Sequence, residues 1–139
     1  MTNTVSLELA KELLELGLKI ETEKWWIIYD KEWDCVYIES KEELADTNNY
    51  SPAYSTDELL AVLPYEIKEA IVYEQQMYYW LKIEKELNHY IVLYLDENND
   101  GLKFTDDKSL PEALGLMCKY LLQNGFEFNG KEIVRKGEK

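Results

Sequence analysis

The sequence predicts an α+β fold: an antiparallel sheet built from hairpins, with about three helices packed on it. Three observations carry this reading. Apolar residues recur at helical spacing in segments that open on hydroxyl caps. Runs rich in aromatic and β-branched residues alternate with period two. Short polar connections join those runs, where a parallel sheet would need long crossovers. The 139 residues show no linker, low-complexity tract or convincing repeat, so they read as one domain, residues 1–139.

The first helix spans Ser6 to Leu16. Leu9, Ala10, Leu13 and Leu14 form its apolar stripe, Ser6 can cap it, and Gly17 suits a left-handed C-terminal residue. Glu8, Lys11, Glu12 and Glu15 fall on the solvated side. Trp25–Tyr29 and Cys35–Glu39 read as strands joined by a turn over Asp30–Trp33, and 40–55 reads as a polar loop around Asn48, Asn49, Ser51 and Pro52. Ser55 and Glu58 have capping-box spacing and open a short helix, Thr56–Leu63, that stops before Pro64. Residues 65–75 read as irregular or partly extended.

Met77–Lys85 alternates, with Tyr79, Leu81 and Ile83 on one face and Tyr78, Trp80, Lys82 and Glu84 on the other. Asn88–Leu95 repeats the scheme, Ile91, Leu93 and Leu95 opposing Tyr90, Val92 and Tyr94, after a connection at Lys85–Asn88. Leu102–Thr105 completes a meander beyond the Asp96–Gly101 turn. Ser109 and Glu112 make a second capping box, Pro111 sits in the first turn, Ala113, Leu114, Met117 and Leu121 form the buried stripe, and Gly125 ends the helix. Residues 131–139 read as a frayed polar tail. Tyr79, Leu81 and Ile83 are expected to be buried together with Leu114, Met117 and Leu121.

Net charge is −13, and it is uneven: residues 1–74 hold 17 acidic and 6 basic side chains, residues 75–139 hold 11 and 9. Fourteen of the fifteen basic residues are Lys, and Arg135 is the single Arg. Phosphate recognition needs the opposite sign and favours Arg, so direct nucleic-acid binding and anionic membranes are disfavoured. A protein partner with a basic surface is electrostatically easier. No apolar run approaches the ~20 residues that cross a bilayer. Glu8, Glu12 and Glu15 interrupt the apolar stretch a signal peptide would need. Cys35 and Cys118 have neither CxxC spacing nor a second pair, which fits reduced thiols and a cytoplasmic location.

Several segments carry a likeness: Ser6-Leu7-Glu8-Leu9-Ala10-Lys11-Glu12-Leu13 with Leu16-Gly17, Trp25-Trp26, Ala53-Tyr54-Ser55-Thr56-Asp57-Glu58-Leu59-Leu60 through Leu63-Pro64, and Ala113-Leu114 through Tyr120-Leu121-Leu122-Gln123-Asn124-Gly125. In these the chain resembles a broad set of small bacteriophage and prophage proteins. The match is one of patterning over most of the chain. The resemblance implies an origin and no activity.

Catalytic chemistry has little foothold. His89 is the single His, no serine sits in a G-x-S-x-G elbow, and neither Walker nor dinucleotide glycine motifs occur. The carboxylate pairs Glu42/Glu43, Asp57/Glu58 and Asp106/Asp107 read as exposed, where two acids keep similar pKa values. No cofactor is implied. Asp96-Glu97-Asn98-Asn99-Asp100-Gly101 matches the first half of a calcium loop, making Asp96, Asn98, Asp100 and Asp107 candidate ligands. Position 9 is Phe104, position 12 is a short Asp, and a strand precedes the loop where a helix belongs; a plain turn explains the same residues.

The aromatic set Trp26, Tyr78, Trp80, Tyr90 and Tyr94 is a candidate protein-binding surface, because both faces of the central hairpin are rich in large side chains. A second copy of the chain could equally cover it. The leading expectation is a non-enzymatic, acidic interaction protein, in its sharper form an inhibitor or nucleic-acid mimic directed at a host protein. A small-ligand or calcium-binding domain using Asp96–Asp107 is the alternative, and a hydrolase with an unrecognised site the third.

Overall fold

In a computed structural model, residues 4–29, 32–37, 50–72 and 75–137 are described. Ser6 opens the first helix: its Oγ accepts the Leu9 N–H at 3.3 Å, and α1 (Leu7–Glu15) runs to Gly17, whose φ of 96° reverses the chain at no steric cost. β1 (Lys24–Tyr29) pairs antiparallel with β2 (Glu32–Tyr37), Tyr29 opposite Glu32. The connection is therefore shorter than the expected turn over Asp30–Trp33, and residues 30 and 31 lie outside the described residues, as do the expected strand end at 38 and 39 and the first part of the loop, 40–49.

The rest of that loop is a strand. β3 (Tyr50–Ala53) pairs with the free side of β1, placing Pro52 opposite Trp25 in a sheet of order β2-β1-β3. An edge strand uses one side for its ladder, so a residue without an N–H is tolerated there. α2 (Thr56–Val62) then starts on a complete capping box: Ser55 Oγ accepts the Glu58 N–H at 3.3 Å, and Glu58 Oε1 accepts the Ser55 N–H at 2.8 Å.

The stretch after Pro64, expected to be irregular or partly extended, is a regular strand, β4 (Glu66–Val72), paired with β5 (Gln75–Lys85). A register shift between Glu69 and Ile71 breaks the two-residue rhythm, which hides the strand from a periodicity reading. β6 (Tyr90–Leu95) and β7 (Gly101–Asp107) continue the meander into a four-stranded antiparallel sheet of order β4-β5-β6-β7. α3 (Leu110–Gln123) follows, capped by Ser109.

The expected frayed tail is also corrected over 131–135, while residues 138 and 139 lie outside the described residues. β8 (Phe126–Phe128) and β9 (Ile133–Arg135) form a hairpin, and Ile133 is 0% exposed. Its turn is held by Asn129 Oδ1, which accepts the N–H groups of Lys131 and Glu132, both at 2.9 Å. Composition made this segment look polar, yet one isoleucine completes the core.

α3 is the central pillar. It lies across β6 and β7 and touches α1, α2 and the terminal hairpin. One continuous cluster joins Leu9, Ala10 and Leu13 of α1, Leu59 and Val62 of α2, Leu114, Met117 and Leu121 of α3, Ile67, Val92 and Tyr94 of the larger sheet, and Phe126 and Ile133. Burying such side chains contributes about 1.5–3 kcal/mol each.

One helix-start signal resolves differently from expectation. Ser109 Oγ accepts the Glu112 N–H at 3.4 Å, but the Glu112 carboxylate does not return to the Ser109 N–H, which donates instead to Asp107 Oδ1 at 2.9 Å. Glu112 reaches across to α1, accepting from Ser6 N at 2.7 Å and Ser6 Oγ at 2.8 Å. The second capping box is thus half formed, and its acid clamps two helix starts together.

Candidate functional site: the outer face of the four-stranded sheet

Residues directly opposite in an antiparallel pair share a face. In the β5–β6 hairpin Leu81 faces Tyr94 and Ile83 faces Val92, so Val92 and Tyr94 point with Leu81 toward α3. Tyr94 is fully buried, its hydroxyl donating to Pro64 O at 2.6 Å, and burial pushes that hydroxyl's pKa well above the ordinary tyrosine value. Tyr90 is half-buried on the same side, beneath Lys85 Nζ at 5.8 Å from its ring centroid. Of the expected co-buried set, Leu114, Met117 and Leu121 are fully buried, and Tyr79 and Leu81 pack partly buried against them. Ile83 is 38% exposed, because α3 lies over β6 and β7 and leaves β5 at its margin.

The other face carries no helix among the described residues. Trp80 faces Leu95, Lys82 faces Leu93, Leu93 faces Phe104, and Ile91 lies between Glu84 and Asp106. Tyr78 and Trp80 stack at 6.3 Å with rings 14° from parallel, and Trp80 Nε1 donates to Glu66 Oε2 at 3.0 Å. These contacts pre-order two large aromatic side chains at the surface. Phe104 is 61% exposed beside a depression of about 510 Å³ lined by Leu93, Leu95, Leu102 and Gly101. Nearby charges have partners on the protein: Lys82 Nζ is 3.2 Å from Glu84 Oε1, and His89 Nε2 is 3.8 Å from Asp106 Oδ2.

The five aromatic candidates therefore do not share one surface. Tyr78 and Trp80 lie on the outer face, and Tyr90 and Tyr94 on the inner. Trp26 belongs to the three-stranded sheet, packed against the core with Nε1 donating to Val5 O at 3.2 Å. Leu93, Leu95 and Phe104 take the places assigned to Tyr90 and Tyr94. A signal for this was present: any hairpin loop with an even number of residues pairs odd positions with even ones, which puts Tyr90, Val92 and Tyr94 on the Leu81 side.

Of the metal candidates, Asp96, Asn98 and Asp100 share one turn and Asp107 stands apart from them. Asp96 is 8% exposed, and its Oδ1 accepts the N–H groups of Asn98 at 2.9 Å and Asp100 at 2.8 Å, closing the turn from within. Asn99 takes the left-handed conformation there, with φ 63°. Asp107 sits at the far end of β7, opposite Tyr90, where it accepts from Ser109 N. Among the described residues no three His, Cys, Asp or Glu side chains come together as a metal site. His89 lies at the β5–β6 connection, Cys35 on β2 within 3.7 Å of Thr4 Oγ1, and Cys118 fully buried in α3, where desolvation raises its thiol pKa.

No helix among the described residues is long and apolar enough to cross a membrane. Comparisons with protein-family models, curated proteins and solved structures found no match to this chain.

Proposed function

We propose that this is a non-enzymatic interaction domain of the bacteriophage type. It binds a host protein through the outer face of the four-stranded sheet and acts as an inhibitor of that protein. The observation that carries the reading is the apolar strip of Tyr78, Trp80, Leu93, Leu95 and Phe104, left without a helix among the described residues on a sheet whose other face packs against α3. The partner has a large apolar anchor for the depression beside Phe104 and a basic surround. A net charge of −13 with Glu8, Glu15, Glu23, Glu32, Asp34 and Asp57 exposed makes such a partner easier to approach than a second copy of this acidic chain. Mimicry of nucleic acid is the form this takes if the host protein itself binds DNA or RNA.

The test compares wild type with Phe104→Ser, immobilised and exposed to host lysate, alongside light scattering of the free proteins. Phe104 burial on binding is worth on the order of 1–2 kcal/mol, so its loss weakens the complex about tenfold. Specific proteins should be retained by wild type, released as ionic strength rises, and lost with Phe104→Ser. Equal retention by both forms refutes the reading. A mass of twice 16.5 kDa that Phe104→Ser returns to 16.5 kDa also refutes it, because the face is then covered by a second copy.

A further inference from the structure

We infer that the free edge of β7 pairs with the same edge of a second copy, antiparallel about a two-fold axis at Thr105, joining the two four-stranded sheets into one. β7 ends its sheet at the side away from β4, and nothing among the described residues pairs with its far edge. The edge is open to solvent: Phe104 is 61% exposed, the Asp106 side chain 54%, and Gly101 and Lys103 are exposed as well.

Hydrogen bonds across the meander fix which backbone groups face outward. Leu81 N donates to Tyr65 O at 2.9 Å and Glu86 N to His89 O at 2.8 Å, so odd residues of β5 bond toward β4 and even ones toward β6. Odd residues of β6 then bond to β5, and Tyr90, Val92 and Tyr94 bond to Asp107, Thr105 and Lys103 of β7. Asp96 N, donating to Asp100 O at 3.0 Å, keeps the same phase at the far end. Phe104 and Asp106 therefore turn their N–H and C=O away from the sheet, and among the described residues no group bonds to them there. Such an edge is a template for another strand.

The charges select the occupant and the register. An antiparallel partner pairs outward residues with outward residues, so the axis falls at Phe104, Thr105 or Asp106. At Asp106 it sets that carboxylate against its own copy. At Phe104 it sets Leu102 against Asp106 and Lys103 against Thr105, leaving the charges unmatched. At Thr105 it bonds Phe104 to Asp106 of the other copy in both directions, sets threonine against threonine, and places Lys103 opposite Asp107 twice. Lys103 and Asp107 share the inner face, in the non-hydrogen-bonded position where opposed side chains come closest. Asp107 spends Oδ1 on Ser109 N at 2.9 Å, which leaves Oδ2 for the lysine. Lys103, Asp106, Asp107 and Lys108 sum to zero charge, so the acidity that repels a second copy elsewhere is balanced along this edge. The remaining repulsion is screened over about 8 Å at physiological salt.

α3 adds apolar contact. Between it and the β7 edge lies a notch of about 340 Å³, lined by Thr105, Leu116 and Tyr120, with Lys103 Nζ 5.0 Å from the Tyr120 ring centroid. A two-fold axis at Thr105 stands perpendicular to the sheet, so both copies of α3 lie on the same side and their notches meet across it. The outer face stays open on both copies, and the dimer is independent of host binding there.

The test is light scattering of the whole protein, loaded at about 0.1 mM because the interface is small. Wild type should show twice 16.5 kDa and fall to 16.5 kDa on dilution. Lys103→Glu and Asp107→Lys each replace two ion pairs with two like-charge contacts and should weaken association about thirtyfold. Their equimolar mixture should dimerise again, since each supplies the charge the other lacks. Amide exchange at Phe104 and Asp106 should be about tenfold slower in the wild-type dimer than in Lys103→Glu, a readout that stands even if Asp107→Lys, deprived of its bond from Ser109 N, does not fold. Phe104→Ser keeps the backbone ladder and both ion pairs and should remain a dimer. A monomeric wild type, a mixture of folded variants that stays monomeric, or equal exchange in wild type and Lys103→Glu would each overturn the assignment. So would a dimer that Phe104→Ser abolishes and Lys103→Glu does not, because the second copy would then sit on the outer face.

Discussion

Gly115→Ala puts the close contact between α1 and α3 to a quantitative test. Gly115 lies on the face of α3 that meets α1, and a β-carbon there would sit 2.7 Å from Leu9 Cδ2 and 2.9 Å from Val5 Cγ1. Ordinary carbon–carbon contact is about 3.5–4.0 Å, so both neighbours must move by more than half an ångström. Neither has room. Leu9 is 3% exposed and Val5 0%, and Val5 is β-branched, with its N–H held by Tyr54 O at 3.0 Å. Against this, alanine in a helix interior gains about 1 kcal/mol over glycine. Overpacking a well-filled core costs about 1–3 kcal/mol, leaving a net loss of roughly 1 kcal/mol. Urea unfolding followed by tryptophan fluorescence should show that loss as a lower midpoint at constant slope. The thermal midpoint should fall by about 2–6 °C. In a Leu9→Ala background the same substitution should cost about 1 kcal/mol less, because the closest obstructing atom is gone. A Gly115→Ala protein more stable than wild type would refute the close approach of α1 and α3.

Two further outcomes are expected. Glu112→Ala strips both acceptors from Ser6 and should cost about 1–2 kcal/mol in urea unfolding, with Glu112→Gln intermediate; a neutral Glu112→Ala would mean the clamp between α1 and α3 contributes nothing. Alkaline stability should fall in two stages. Burial raises Cys118 above its ordinary 9.0 and Tyr54 and Tyr94 above their ordinary 10.0, so the unfolded chain sheds protons that the folded one keeps. Stability from these groups is intact below pH 9, falls above it by about 1.4 kcal/mol per pH unit through Cys118, and by about 4 kcal/mol per unit above pH 10 when all three contribute. Tyr54→Phe should flatten the upper stage by about a third, whatever it loses from the 2.6 Å bond to Leu18 O; an unchanged slope would exclude Tyr54 from the effect.

Much of the candidate surface was legible in the strand alternation, and part of it was not. The alternation puts Tyr78 and Trp80 on one face and they lie on it, because a strand's period is a property of consecutive residues. Which residues of β6 join them depends on register, a relation between two strands, and there Leu93 and Leu95 replace Tyr90 and Tyr94. Phe104 falls within the expected third strand, Leu102–Thr105, and is a misfit in a calcium loop; its place on the outer face follows from its pairing with Leu93.

What the sequence by itself determined lies within about one helical turn of the residue concerned: the Ser6, Ser55 and Ser109 caps, the Gly17 and Gly125 stops, the buried stripes of α1 and α3, and the Asp96 turn. Those signals are hydrogen bonds and steric limits between near neighbours, so the local sequence suffices to specify them. Only the tertiary structure decided that Tyr50–Ala53, Glu66–Val72 and Ile133–Arg135 are strands, that Glu112 serves a helix 106 residues away in sequence, and which sheet face carries no helix among the described residues. Each of those outcomes needs a partner distant in the chain. A strand's backbone groups are satisfied by its neighbour, and a face is buried by whatever packs on it.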